Sequence, residues 1–329
     1  MYNRFAGVDD IHVFVVTYNR PDYLKLQLES LANQKEKPTS ITVLDDGPNP
    51  ETKKVADGFK VSGIKYIRTK RLGLWGNIYE AQQLADRPYT AIFHDDDRIH
   101  PKYIELAARV LKANPECTLL GCNSFDMPPE STIPFDDNVG ANGWLFDQRD
   151  FASFFFNGHF GHFPFFIYRT ENLKRLDVYR YLDYSGPFGK HGDSAFVPLA
   201  VGDGKAAMLT SRLANYGCHP GQAVSDPKSL PDAKCWVRVE AVFHKLMGDD
   251  LHTFSGFSYA FRNYRRLRSG YKRRGTHDYS FADYMRFARE EGAASPHMGL
   301  FRPFCNHVTE KALLGAYRRY ICSKEGSLA

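Results

Sequence analysis

Asp95, Asp96 and Asp97 stand together at the end of an apolar run, Ala91-Ile92-Phe93-His94, and Pro101 opens a helix-like segment just beyond them. Adjacent like charges repel, so a folded chain keeps them together chiefly where a cation needs them. Hard divalent ions take oxygen ligands, and Mg²⁺ typically takes one or two protein carboxylates together with phosphate oxygens. Two earlier apolar runs also end in polar groups, Thr17-Tyr18 after residues 11–16 and Asp45-Asp46 after residues 41–44. An aromatic plate, an isolated acid and a metal-type acidic cluster would together suit a nucleoside diphosphate. The base would stack on Tyr18, an aspartate would accept from base or ribose, and a metal would bridge the pyrophosphate.

The intervening elements must bring these groups to one place. Residues 11–17 are a β-branched run, and Pro21 followed by Leu24, Leu28 and Leu31 at helical spacing predicts strand, turn, helix. Strands are expected at residues 41–44, 64–68, 89–94 and 118–123, and helices at 74–85 and 101–113. Such alternation predicts βαβ units, right-handed crossovers and a mostly parallel, doubly wound sheet. The polar strand ends then fall along one carboxyl edge, where open α/β sheets bind ligands. There is neither a GxGxxG after the first strand nor a GxxxxGK[ST] anywhere, so dinucleotide and P-loop fingerprints are missing. From about residue 125 the alternation stops. An aromatic block at 151–168, a Gly-rich stretch around His191-Gly192-Asp193-Ser194 and the segment 215–225 follow.

The 329 residues are 43% hydrophobic and 25% charged, ordinary values for a globular protein. No run of about 18 uncharged apolar residues is present, and the polar start predicts no secretory signal. Cys117, Cys122, Cys218, Cys235, Cys305 and Cys322 form no CxxC pair; they read as reduced thiols of a cytoplasmic protein rather than zinc ligands. Residues 1–229 carry 26 Lys and Arg against 28 Asp and Glu, whereas residues 230–329 carry 17 against 10. The basic run 262–274 would attract an anionic membrane surface, and no motif for specific nucleic-acid binding accompanies it.

Taken in order, Val15-Val-Thr-Tyr-Asn-Arg-Pro-Asp-Tyr-Leu, Val43-Leu-Asp-Asp-Gly-Pro, Phe93-His-Asp-Asp-Asp and Asn215-Tyr-Gly-Cys-His-Pro-Gly-Gln resemble the inverting glycosyltransferases of family 2, across about residues 10–226. The resemblance implies a GT-A fold: a Rossmann-like, mostly parallel sheet flanked by helices. It implies a nucleotide-sugar donor, a UDP-sugar favoured, a glycan or lipid-linked acceptor, and Mn²⁺ or Mg²⁺ as cofactor. Thr17, Tyr18 and Arg20 would line the nucleotide pocket, Asp45 would read the base, and Arg71 would meet the pyrophosphate. Asp95 and Asp97 would form the family's D-x-D element, with Asp97 on the metal, Asp95 on ribose or metal water, and Asp96 structural. His219 falls where the family places a histidine that helps hold metal and phosphates. Asp193 would be the catalytic base; the family usually shows Glu-Asp there, and Gly192 stands in place of the glutamate. The aromatic block occupies the acceptor side, where His159 or His162 could bond sugar hydroxyls, while core packing explains most of its phenylalanines.

The expected organisation is a catalytic domain over residues 1–229, with a nucleotide-binding half (1–125) and an acceptor half (126–229), and a mainly helical basic extension over 230–329. The extension would hold the enzyme on the inner face of a membrane during surface polysaccharide synthesis. A sugar-phosphate nucleotidyltransferase and a non-catalytic carbohydrate-binding protein remain as alternatives. The first usually needs a Gly-rich phosphate loop where Thr17-Tyr18-Asn19-Arg20-Pro21 stands, and the intact set of acids argues against the second.

Overall fold

The computed structural model of this chain describes residues 7–59, 64–70, 72–156, 162–183, 187–220 and 233–247, together with 286, 290 and 326–328. In the first half, β1 (Ile11–Thr17) leads to α1 (Pro21–Ala32), β2 (Ser40–Asp45) to α2 (Pro50–Gly58), and β3 (Ile64–Arg68) to α3 (Gly73–Leu84). Then come β4 (Tyr89–His94), β5 (Arg98–Ile99) and α4 (Tyr103–Ala113). The second half comprises β6 (Cys117–Met127), β7 (Asn142–Asp147), α5 (Gln148–Phe156), β8 (Ile167–Arg169), α6 (Thr170–Lys174), α7 (Val178–Leu182), α8 (Gly192–Val201), β9 (Lys205–Gly217), α9 (Ala233–Met247) and β10 (Gly326–Ser327).

Among the described residues one sheet runs β10-β7-β9-β6-β8-β4-β1-β2-β3, with β5 paired beside β9. β1 is buried along its whole length because it is flanked by two parallel strands and covered on both faces. Its side chains alternate: Val13 and Val15 join a core with Leu24 and Leu28 of α1 and Ile104 and Leu111 of α4. Phe14 and Val16 join the opposite core, with Ile78 and Ala81 of α3. A parallel sheet sandwiched by helices accounts for the largely apolar runs seen in the sequence.

The strands β3, β2, β1 and β4 are parallel, as expected. Beyond them the sheet is mixed rather than mostly parallel. β8 enters antiparallel between β4 and β6, β6 and β9 run parallel, and β7 and β10 run antiparallel. Several elements lie outside the sequence expectation, among them α2 and β9. α2 starts at Pro50 with the Asn49 side chain accepting from Glu51 N–H, a signal that was present in the sequence. β9 is rich in alanine, which disfavours strands in isolation; pairing with both β6 and β7 overrides that preference. Of the expected basic extension, α9 packs on α5 and α8, and β10 adds to the sheet beside β7. The run 262–274 lies outside the described residues.

Candidate active site

The register places three polar strand ends side by side. Thr17 pairs with Asp45 across β1 and β2, and Val16 pairs with His94 across β1 and β4. The turns continue this stitching: Asp46 N–H donates to the Thr17 carbonyl (3.1 Å), and Asp95 N–H to that of Val16 (3.1 Å).

The three adjacent acids have separate partners. Asp95 is fully buried and accepts from the Thr17 hydroxyl (2.6 Å) and from Arg20 Nε (3.1 Å) at Oδ2, while Arg20 Nη2 lies 2.5 Å from its Oδ1. Burial pushes its carboxyl up to about 7 against the pull of Arg20. Asp96 Oδ2 takes Arg20 Nη1 (2.9 Å) and His219 Nε2 (2.9 Å). Burial opposes its ionisation, yet Arg20, His94 and His219 hold it below the usual carboxylate range. Asp97 is fully buried; its Oδ1 accepts from Gly217 N–H (3.2 Å), and its Oδ2 has no hydrogen-bond partner among the described residues. Burial, with the charges of Asp96 and Asp95 beside it, drives Asp97 well above the ordinary range.

A ring nitrogen of His94 and one oxygen each of Asp96 and Asp97 lie within 4.8 Å of one another. His94 Nε2 is buried without a partner among the described residues, and burial lowers the imidazole pKa to about 4. Unpartnered buried polar atoms are uncommon in native proteins and require a reason. Two residues that carry such atoms, clustered with the carboxylate of Asp96, fit a divalent cation. The set differs from the expected one: Asp96, expected to be structural, joins it, and Asp95 is instead engaged by Thr17 and Arg20. His219 reaches the group through Asp96.

The other expected nucleotide contacts separate in the same way. Asp45 is fully buried, with Oδ2 accepting from Tyr66 Oη (2.6 Å) and Arg68 Nη2 (3.1 Å) and Oδ1 from Gly47 N–H (2.8 Å). Asp46, rather than Asp45, lines the cavity at this edge. Its oxygens accept from Leu72 N–H (2.6 Å), Gly73 N–H (2.8 Å) and the Thr69 hydroxyl (2.9 Å), so it caps the start of α3. Arg71 and His159 lie outside the described residues.

Two cavities adjoin at this edge. The first, of about 570 Å³, is lined by Thr17, Tyr18, Arg20, Asp46, Asn77 and His94 among others. Tyr18 is 55% exposed, so one ring face is available for stacking. Asn77 on α3 has a buried Oδ1 without a partner among the described residues; neither it nor His94 is singled out by the sequence as a ligand, though His94 directly precedes the acids. The second cavity, of about 330 Å³, contains Asp193, His162, Trp75 and Tyr216 and shares His94 and Leu74 with the first. Burial raises the Asp193 carboxyl, against the bond from Ser194 N–H (2.8 Å) and the nearby His162. His162 stacks on Tyr216 at 3.9 Å and places Nε2 2.8 Å from Asp126. Most phenylalanines of the aromatic block pack in the core, as expected. Gly192 has a steric reason: a Cβ there would lie 1.3 Å from the Tyr181 carbonyl oxygen, so α7 leaves no room for the family's usual acid.

Residues 12–177, half of the chain, match the family model described as glycosyl transferase family 2. This chain belongs to glycosyl transferase family 2. It is 27% identical over 171 residues to an uncharacterized glycosyltransferase of Methanocaldococcus jannaschii, covering 50% of this chain and 58% of that relative. The chain thus spans less than two thirds of that relative's length. Among solved structures it is similar to residues 1–349 of TarS from S. aureus in complex with UDP-GlcNAc, with a TM-score of 0.60 at 16% identity, covering 94% of this chain and 91% of that one. It is also similar to the mannosyltransferase PcManGT from Pyrobaculum calidifontis in complex with GDP-Man and Mn²⁺, with a TM-score of 0.52 at 15% identity, covering 93% and 85%. These likenesses establish the GT-A type of α/β fold.

Proposed function

We propose that this family 2 chain transfers a sugar from a nucleotide sugar, a UDP-sugar by preference, to a hydroxyl of a glycan or lipid-linked acceptor, with a divalent ion and with inversion. The observation that carries this reading is the pair of adjoining cavities with His94 and Leu74 in common. One is lined by an exposed aromatic ring, a fixed arginine and His94, which borders the acidic cluster; the other is lined by the half-buried Asp193, whose carboxyl pKa is raised. A donor in the first and an acceptor in the second would meet at their common wall. The TarS and PcManGT structures hold UDP-GlcNAc and GDP-Man respectively, and the second holds Mn²⁺, which is in keeping with such a donor and such an ion.

In this reading the base of the donor stacks on Tyr18. Asp45 acts on the nucleotide pocket by fixing Tyr66, Arg68 and the Gly47 turn, and Thr17 and Arg20 hold Asp95 in place for the ribose. Arg71 and His219 supply cationic or hydrogen-bonding character toward the diphosphate. Asp96 and Asp97 hold the ion, which supplies charge neutralisation for the leaving group when bound. Asp193 accepts the proton of the acceptor hydroxyl as that oxygen bonds to the anomeric carbon. The bond from that carbon to the diphosphate oxygen breaks on the opposite face, and the nucleoside diphosphate leaves with the electron pair. The basic run 262–274 would keep the enzyme beside an anionic membrane during polysaccharide synthesis.

Calorimetry with UDP, GDP and dTDP in the presence of Mn²⁺ tests the donor half of the reading. UDP is expected to bind best, and Asp97→Ala to abolish the dependence on the ion. If none of the nucleotides binds the wild type, the donor assignment fails.

A further inference from the structure

We propose that His94 is a nitrogen ligand of the divalent ion, so that the centre is a mixed set of one imidazole and two carboxylates rather than an all-oxygen site. This inference rests on the divalent-ion part of the reading above and adds to it the identity of a third ligand. His94 ends β4, where the alternation that sends Phe93 into one core turns His94 toward the opposite face, the side of Ile92. Register with Val16 of β1 fixes its backbone, and the Phe163 ring lies 6.3 Å from the imidazole. The ring is therefore held by packing rather than free at a surface. One of its nitrogens lies within 4.8 Å of ligand oxygens of both Asp96 and Asp97.

The hydrogen-bond inventory supports an ion at this point. His94 Nε2 and Asp97 Oδ2 are both buried and without partners among the described residues. A buried polar group without a partner forfeits its hydration with nothing in return. Asp95 makes a contrast, since Arg20 and Thr17 engage it. Arg20 thus neutralises Asp95 and shares Asp96 with His219, while Asp97 Oδ2 and His94 Nε2 are left to a cation, with Asp96 bridging the two groups. Because His94 lines both cavities, an ion held there would sit at the wall where donor and acceptor meet. Imidazole suits transition ions better than Mg²⁺, which prefers a shell of oxygen ligands and water. A centre of this composition should therefore favour Mn²⁺ over Mg²⁺.

Electron paramagnetic resonance with Mn²⁺ alone tests the assignment without relying on turnover. In the full-length protein, bound Mn²⁺ is expected to show electron spin-echo modulation from a directly coordinated ¹⁴N. His94→Ala and His94→Gln should lose that modulation and bind Mn²⁺ at least about tenfold more weakly. The melting curve of His94→Gln reports whether that variant is folded. Bound Mn²⁺ without nitrogen modulation, or modulation that survives in His94→Ala, overturns the ligand assignment while leaving the donor reading intact. Failure of Mn²⁺ to bind the wild type overturns it as well. UDP calorimetry in the same protein then shows whether the nucleotide-sugar reading falls too.

Discussion

Replacing Gly217 by alanine probes how the chain sets the position of Asp97. Gly217 ends β9, pairs with Met127 of β6 and donates its N–H to Asp97 Oδ1 at 3.2 Å. A Cβ at this position would lie 1.9 Å from the carbonyl oxygen of Asp96 and 2.9 Å from Cγ of Pro129. Carbon contacts need about 3.5 Å, so the end of β9 must retreat by about 1.5 Å. The nearest obstacle is backbone and cannot rotate aside. Overpacking of this kind costs about 1–3 kcal/mol, and loss of the bond to Asp97 about 1 kcal/mol more. Gly217→Ala should therefore destabilise the protein by about 2–4 kcal/mol, lowering its melting temperature by roughly 5–10 °C. Mn²⁺ affinity should fall at least about tenfold, because Asp97 loses its orienting donor. Gly58→Ala is the control: a Cβ there meets nothing within 4 Å, and its effect should stay within about 0.5 kcal/mol. Thermal denaturation and Mn²⁺ titration followed by paramagnetic resonance read both quantities. A Gly217→Ala protein that melts and binds Mn²⁺ like the wild type would refute the claim that this close approach sets the acidic loop.

Asp193→Asn should reduce transfer by about 10²–10⁴-fold while leaving UDP affinity unchanged, as rate assays and calorimetry would show. Its raised pKa fixes the sign of the pH profile. The base works when deprotonated, so transfer should fall as pH drops through a value above the ordinary carboxylate range, and this limb should vanish in Asp193→Asn. Asp46→Ala removes the acceptor of Leu72 N–H, Gly73 N–H and the Thr69 hydroxyl and should cost about 2 kcal/mol in thermal unfolding. It should also weaken UDP binding, because Leu74 and Asn77 reach the first cavity from the start of α3. Unchanged melting and UDP affinity would show that this cap does not shape the cavity.

The sequence by itself determined the parallel half of the sheet and the edge where the polar residues gather. Largely apolar, β-branched runs such as residues 11–16 and 41–44 are a local signal, and parallel strands joined by helices must place their carboxyl ends together. The Pro21 start of α1 and the buried phenylalanines of α5 were legible for the same reason. The antiparallel insertions of β8 and β7 were not, nor was β9, because their stability lies in pairing with strands far away along the chain. Within the site, residue types were legible and their division of labour was not. Asp95, Asp96 and Asp97 are neighbours in sequence, yet the first meets Thr17 and Arg20, the second Arg20 and His219, and the third Gly217. Those partners lie 75 to 123 residues away. Whether a buried carboxylate is neutralised by an arginine or left to a cation depends on the charges and donors packed around it, and only the tertiary structure brings those together.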